Sequence, residues 1–374
     1  MERREQTLAQ HVYTVQIFFS RSRCTSVELR QANICLHRKY DSPSYTLQTF
    51  IPAAARDAYL AIRAFNVDIA RVADSVSNPA IGAMRMQFWR DNINRTFAGS
   101  PPKQPAAVLL AHALEDLGHR TGGKGRLSKP WFMKIISTRE QYINNPPYPT
   151  ITALESYAEN TYSTLLYLTL SALPLTSITA DHLASHIGKA TGITAILRGL
   201  PLLAFPPPPN HHSNRAALGG ALSESTGGRQ AAVTLPLDVM AEHGVKEEDV
   251  LRQGSDAPGL RDAVFAVATR ASDHLITARE MLKNIHAGKE VGHEFEHEGE
   301  EGHEYSPRPS TGGGTQAQVV EIERAFGVLM PAVATKLWLD KLQGLDFDVF
   351  RPELRGREWK LPWKAFFAYR RRMF

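Results

Sequence analysis

Apolar residues recur three and four positions apart over most of the chain, the spacing of helices that each bury one face. Residues 81–97 set the pattern, with Met86, Trp89, Ile93 and Phe97 on one stripe. Residues 128–144 read the same way, and Pro130 falls early, where a first-turn proline is tolerated. The Ala-rich stretch 53–74 has neither Gly nor Pro after Pro52. Long apolar helices are predicted over 151–173 and 180–203, and again over 259–286 and 316–345. No alternating strand pattern of useful length occurs. The expected fold is all-α, a single-domain helical bundle around one core.

Three segments interrupt the periodicity. Residues 103–125 mix a short helical patch with the loop Thr121-Gly122-Gly123-Lys124-Gly125. Residues 205–228 carry Pro206 to Pro209, then His211, His212 and Gly- and Ser-rich sequence, which reads as a flexible insertion. Residues 287–314 interleave seven glutamates from Glu290 to Glu304 with His and Gly. Such sequence cannot bury apolar surface and is expected to be disordered.

Composition adds bounds. The chain has 374 residues, 43% hydrophobic and 22% charged, an ordinary globular balance that can fill a sizeable core. Its net charge of +5 permits contact with an anionic membrane surface or an acidic partner and demands neither. No nucleic-acid partner is expected. The two cysteines, Cys24 and Cys35, form no CxxC pair, so a reducing compartment fits better than a disulfide framework. No apolar run approaches the roughly 20 residues of a membrane-spanning helix, so the chain is expected to be soluble or peripheral.

Both ends stand apart. Residues 1–34 carry Arg3, Arg4, Arg21, Arg23 and Arg30 among Ser, Thr and apolar residues, with Glu2, Glu5 and Glu28 interrupting. They read either as a mitochondrial targeting segment or as a loosely helical extension. Residues 351–374 combine Leu361, Trp363, Phe366, Phe367 and Tyr369 with Lys364, Arg370, Arg371 and Arg372. That pattern suits an anionic membrane interface, a docking face for a protein, or a final helix packed on the core.

Local motifs for chemistry are weak. His286, His293, His297 and His303 lie in the Glu-rich tract, which lacks the fixed geometry of an ordered metal site. The Gly-rich stretches 121–125 and 311–314 lack phosphate-loop spacing and read as linkers.

Two helices carry a resemblance. The run from Arg63 to Asp74, followed by Phe88-Trp89-Arg90, resembles the first signature region of squalene and phytoene synthases, approximately F-C-R-x-x-D-D-x-x-D. The run from His186 to Gly199 resembles their second region, G-x-A-x-Q-x-T-N-I-L-R-D-x-x-x-D. Gly228-Arg229 with Leu235-Pro236-Leu237-Asp238 is similar to the G-R-x-Y-L-P-x-D that follows, and the similarity spans roughly residues 35–350. The family's chemistry implies that aspartates on facing helices hold Mg²⁺, a hard ion that takes oxygen ligands, while a diphosphate departs.

Here those positions are degenerate. The first motif keeps only Asp74; its arginine position is Val67 and its paired acids are Ala70 and Arg71. Asp68 lies about 120° around an ideal helix from Asp74 and is no substitute. Arg71 is expected to pair with Asp74 at i,i+3. In the second motif Gly192 and Ala195 replace the glutamine and asparagine, and Gly199 and Leu203 replace the aspartates. Along the substrate-lining helix beginning at Tyr157, Tyr162, Ser163 and Leu166 occupy small-residue positions. Asp74, Arg198, Arg229 and Asp238 are then read as structural. No catalytic residue, metal or cofactor is expected.

Blocks such as Ala73-Asp74-Ser75-Val76-Ser77, Tyr157-Ala158-Glu159-Asn160-Thr161 and Asp346-Phe347-Asp348-Val349-Phe350 resemble a non-catalytic branch, the complex I assembly factor 6 group. The resemblance implies a peripheral protein on the matrix side of the mitochondrial inner membrane. Its implied partners are complex I subunits or other assembly factors, at an early assembly step. A prenyl-diphosphate synthase with a displaced metal site and an isoprenoid or lipid carrier are the alternatives.

Overall fold

A computed structural model describes residues 26–374 apart from 77, 124, 174, 176–177, 207–230 and 289–314. The insertions near 205–228 and 287–314, Arg229 and most of the 1–34 segment therefore lie outside the described residues. So does the side chain of Asp74. Among the described residues all regular structure is helical.

The chain opens with α1 (Ser26–Tyr40) and α2 (Ser42–Leu47), then α3 (Arg56–Ala70) and the single turn α4 (Val72–Ser75). Next come α5 (Pro79–Phe97), α6 (Pro105–Thr121) and α7 (Lys129–Gln141). Helix α8 (Ile151–Ala158) runs through a π turn (Glu159–Ser163) into α9 (Thr164–Leu170). The 26-residue α10 (Thr179–Ala204) follows, then short α11 (Leu237–Glu242) and α12 (Glu247–Gln253). The 27-residue α13 (Leu260–His286), α14 (Thr315–Leu329), α15 (Pro331–Gln343) and α16 (Leu361–Arg371) complete the bundle.

Local sequence sets many boundaries. The Asn78 side chain accepts from Ala80 N at 2.8 Å and Pro79 opens α5. The Thr150 hydroxyl accepts from Ala153 N at 3.1 Å to start α8. Gly122, at φ 58°, ends α6 in the left-handed conformation that glycine adopts freely. Gly259, at φ 73°, precedes α13 with its Cα against the carbonyl of His243, where a side chain has no room.

Helix α10 is the axis. It packs on α13, on α8 and the π turn, and on α15. Around it, α3 packs against α6 and α1, and α5 against α7. Phe65, Phe132 and Trp89 form an edge-to-face cluster between α3, α5 and α7.

Several expectations need correction. Residues 105–121 form a full 17-residue helix, not a short patch. Leu109, Leu110, Ala113 and Leu117 give it a buried face, and that packing carries the helix past Gly118. Residues 26–40 are helical because α1 turns Asn33 and His37 inward, a polar stripe that a hydrophobic pattern does not reveal. Arg30 holds it to Asp57 through bonds of 2.7 and 2.6 Å, and Arg63 pairs with Asp41. The boundary drawn at residue 34 thus falls inside a helix. The 53–74 helix breaks at Arg71, and 316–345 breaks before Pro331, whose ring cannot continue a helix.

Candidate functional site

The two motif helices meet. α3 and α10 converge on a cavity of about 210 Å³ that is also walled by α5, α7, α8 and the π turn. Four of the eight degenerate motif positions line it: Ala70 from α3, and Ala195, Gly199 and Leu203 from α10. Val67 instead points into the core, 5% exposed. Arg71 stacks on the ring of Tyr40, 3.7 Å from its centroid. Gly192 lies at the helix contact beside the cavity, and Asp74 sits in α4.

Ala70, Gly199 and Leu203 offer no ligand atom, and Arg71 is a cation that repels Mg²⁺. The residues at these positions do not fit a magnesium cluster. Among the described residues no group of three or more His, Cys, Asp or Glu side chains is arranged to hold a metal ion.

Upstream along α10 the space is closed. A Cβ on Gly188 would stand 2.5 Å from Ser163 N, and one on Gly192 would stand 2.5 Å from the Cβ of Ala158. The two helices touch backbone to backbone where the π turn widens α8–α9. The turn is anchored by polar groups. Thr161 Oγ1 donates to Tyr157 O at 2.6 Å and Ser163 Oγ to Ser185 O at 3.1 Å. Buried Glu159 accepts from Tyr167 OH at 2.5 Å and from Ser185 Oγ at 2.9 Å. Ser163 and Leu166, at small-residue positions of the synthase pattern, are both buried in this packing.

A second polar cluster ties α8 to α13 and α10. Glu155 Oε1 bonds to Arg270 Nε at 2.5 Å and to His274 Nε2 at 2.7 Å. His274 Nδ1 lies 3.1 Å from His186 Nδ1. Burial opposes the charge on Glu155, but the bonds from His274 and Arg270 outweigh it and hold its pKa at about 2. Asp238, kept from the third motif, accepts from Ile151 N at 3.0 Å and so caps α8. Arg198 lies exposed on α10.

Arg139 is the residue the sequence reading missed. It stands 8% exposed in the cavity wall. Its Nη2 donates to Asn66 Oδ1 at 2.7 Å and its Nη1 to Tyr157 OH at 3.3 Å, while Nε–H has no acceptor. Burial disfavours the charge, yet the phenols of Tyr157, Tyr162 and Tyr148 more than offset this and raise its pKa. Burial in turn raises the pKa of Tyr148 and Tyr157, so both stay protonated. The signal was available: Phe132, Ile135, Ile136 and Arg139 share one helical stripe, so a charge occupies an apolar slot. Glu155 breaks the stripe of Ile151, Leu154 and Ala158 in the same way.

The squalene/phytoene synthase family model matches residues 37–205 and 223–365. A dehydrosqualene synthase structure superposes with a TM-score of 0.62 at 12% identity, covering 92% of this chain and 96% of that one. A squalene synthase from Alicyclobacillus acidocaldarius gives 0.56 at 13% identity, over 87% and 97% of the two chains. At such identities the likeness is one of fold. Sequence similarity is greater to proteins named NADH dehydrogenase (ubiquinone) complex I, assembly factor 6. The Bos taurus protein is 35% identical over 87% of this chain and 78% of its own length. The Homo sapiens protein is 34% identical over the same shares, and the Drosophila melanogaster homologue 31% identical over 88% and 80%. The chain belongs to the squalene/phytoene synthase family, in the branch of the complex I assembly factor 6 proteins.

Proposed function

We propose that this protein is an assembly factor for mitochondrial respiratory complex I, built on a prenyl-synthase fold that no longer performs prenyl-transfer chemistry. One observation carries the non-catalytic reading. Where the two motif helices face each other, Ala70, Ala195, Gly199 and Leu203 border a cavity of about 210 Å³. That is below the roughly 300–1,000 Å³ of an ordinary small-molecule pocket. The assembly role rests on the 35% identity, over 87% of the chain, to proteins of that name.

The working site is the matrix side of the inner membrane, at an early step, with complex I subunits or other assembly factors as partners. An import leader fits ahead of α1, since that helix packs on α3 and α6. No helix among the described residues is long and apolar enough to cross a membrane. Peripheral attachment is supported by α16 and the turn before it. Trp359 and Trp363 are 72% and 66% exposed, beside exposed Phe366 and Phe367. Lys360, Lys364, Arg370 and Arg371 flank them, and residues 359–371 contain no acid. Aromatics beside cations match a headgroup interface.

Deletion is expected to lower assembled complex I on native gels, and affinity purification from mitochondria is expected to enrich complex I subunits or assembly factors. A deletion strain with a normal complex I level would sink the assembly role. Product formed from labelled prenyl diphosphates with Mg²⁺ would sink the non-catalytic reading.

A further inference from the structure

The cavity between α3, α7 and α10 keeps a charge that the loss of the motif acids does not explain. Arg139 is more than nine-tenths buried, and among the described residues no carboxylate pairs with it. Its counterparts are neutral: the Asn66 amide and the hydroxyls of Tyr157 and Tyr162. An isolated buried cation costs several kcal/mol unless an anion and further hydrogen bonds compensate it. An arginine guanidinium stays protonated at any ordinary pH, so the cost is not relieved by loss of its proton.

The synthase pattern places acids around this cleft, and acids must recruit cations before an anion can bind. Here the sign is reversed: the acids are absent and a cation lines the wall. We propose that the cavity is a binding site for a small organic carboxylate, drawn by the Arg139 guanidinium in its wall and held with the help of the tyrosine hydroxyls.

Shape and lining define the ligand class. A guanidinium is a permanent cation, and a carboxylate is the small organic anion whose charge would compensate it. Ile69, Met86 and Ile196 give the cavity apolar walls, which suit a short alkyl tail. A volume of about 210 Å³ equals that of about seven liquid waters, so a four- to six-carbon acid is the natural size. Entry is available at Leu202, which lines the cavity and is 55% exposed. This inference stands independently of the assembly role, because its evidence is the unpaired cation.

The test is thermal unfolding of the purified full chain at pH 7 with sodium acetate, butyrate or hexanoate. Sodium chloride, neutral butyramide and inorganic phosphate serve as comparisons. Butyrate or hexanoate is expected to raise the melting temperature saturably, by about 3 °C at a hundredfold excess over its dissociation constant. Chloride and butyramide are expected to leave it unchanged. Arg139→Met should abolish the shift. Gly199→Leu provides a second variant that keeps Arg139; no atom lies within 4 Å of a Cβ there, so the side chain can enter the cavity and displace the ligand. If Arg139→Met does not fold, loss of the shift in Gly199→Leu supports the proposal and its retention overturns it. A carboxylate response no greater than that of chloride overturns the site. So does an undiminished shift in folded Arg139→Met. A response to phosphate alone overturns the ligand class.

Discussion

Along the first half of α10, Gly188 and Gly192 let the helix press onto the π turn, with backbone atoms in contact. Along the second half, Ala195, Gly199 and Leu203 border a cavity, and nothing lies within 4 Å of a Cβ built on Gly199. Glycine therefore has two meanings within three helical turns. In the first half its missing side chain is the contact. In the second half it removes a functional group and leaves space. A degenerate motif is thus not a uniformly filled site: one part of the cleft has become core while the other stays open.

Four measurements can break or sharpen that contrast. The largest effect is expected at Gly188→Ala, where the new methyl meets Ser163 backbone that cannot move without disturbing the π turn. Overpacking of this kind should cost about 3 kcal/mol in denaturant unfolding. A cost near zero would show that the packed half is loose.

Next is the polar tie between α8, α13 and α10. Glu155→Ala should cost about 2 kcal/mol at pH 7, since it leaves His274 without its carboxylate and frees the half-exposed Arg270. The folded pKa of Glu155, about 2, lies below its unfolded value of 4.5. Its contribution is therefore complete above pH 4.5 and fades as pH falls toward 2. The wild-type advantage over the alanine variant should shrink across that window. Urea titrations at several pH values measure it.

Asp68, one turn before Arg71, behaves in the opposite sense. Burial pushes its pKa up to about 6 from 3.8, with Arg71 opposing. Its folded state is favoured while protonated, so that contribution is present below pH 3.8 and lost as pH rises through 6. Asp68→Asn should stabilise the protein at pH 7 by on the order of 1–2 kcal/mol and have little effect near pH 3.5. Equal stabilisation at both pH values would contradict the buried charge.

The smallest effect is at Gly199→Ala. With open space around it, the methyl should raise stability by about 0.5–1 kcal/mol through helix propensity alone. A loss instead would mean that the cavity is narrower than its walls indicate.

Most helices were legible because apolar periodicity reports burial directly, as at Met86, Trp89 and Ile93. It failed where the buried stripe is polar, as at Asn33 and His37, or where tertiary packing carried a helix past a glycine, as in α6. The motif positions in the sequence singled out the cleft's helices, and four of the eight indeed line it. Arg139 and Glu155 escaped notice because the resemblance drew attention to missing acids. A charge within an apolar stripe carries equal information.

The sequence alone determined which side chains stand at the motif positions, and with them that no aspartate remains at Ala70, Gly199 or Leu203. It also determined the helical periodicity, since both are properties of residue order. Only the tertiary structure decided that Gly188 and Gly192 close one part of the cleft while Arg139 sits in the wall of the other. Helix separation and the solvation of a charge depend on atoms brought together from distant parts of the chain, and no local pattern encodes those distances.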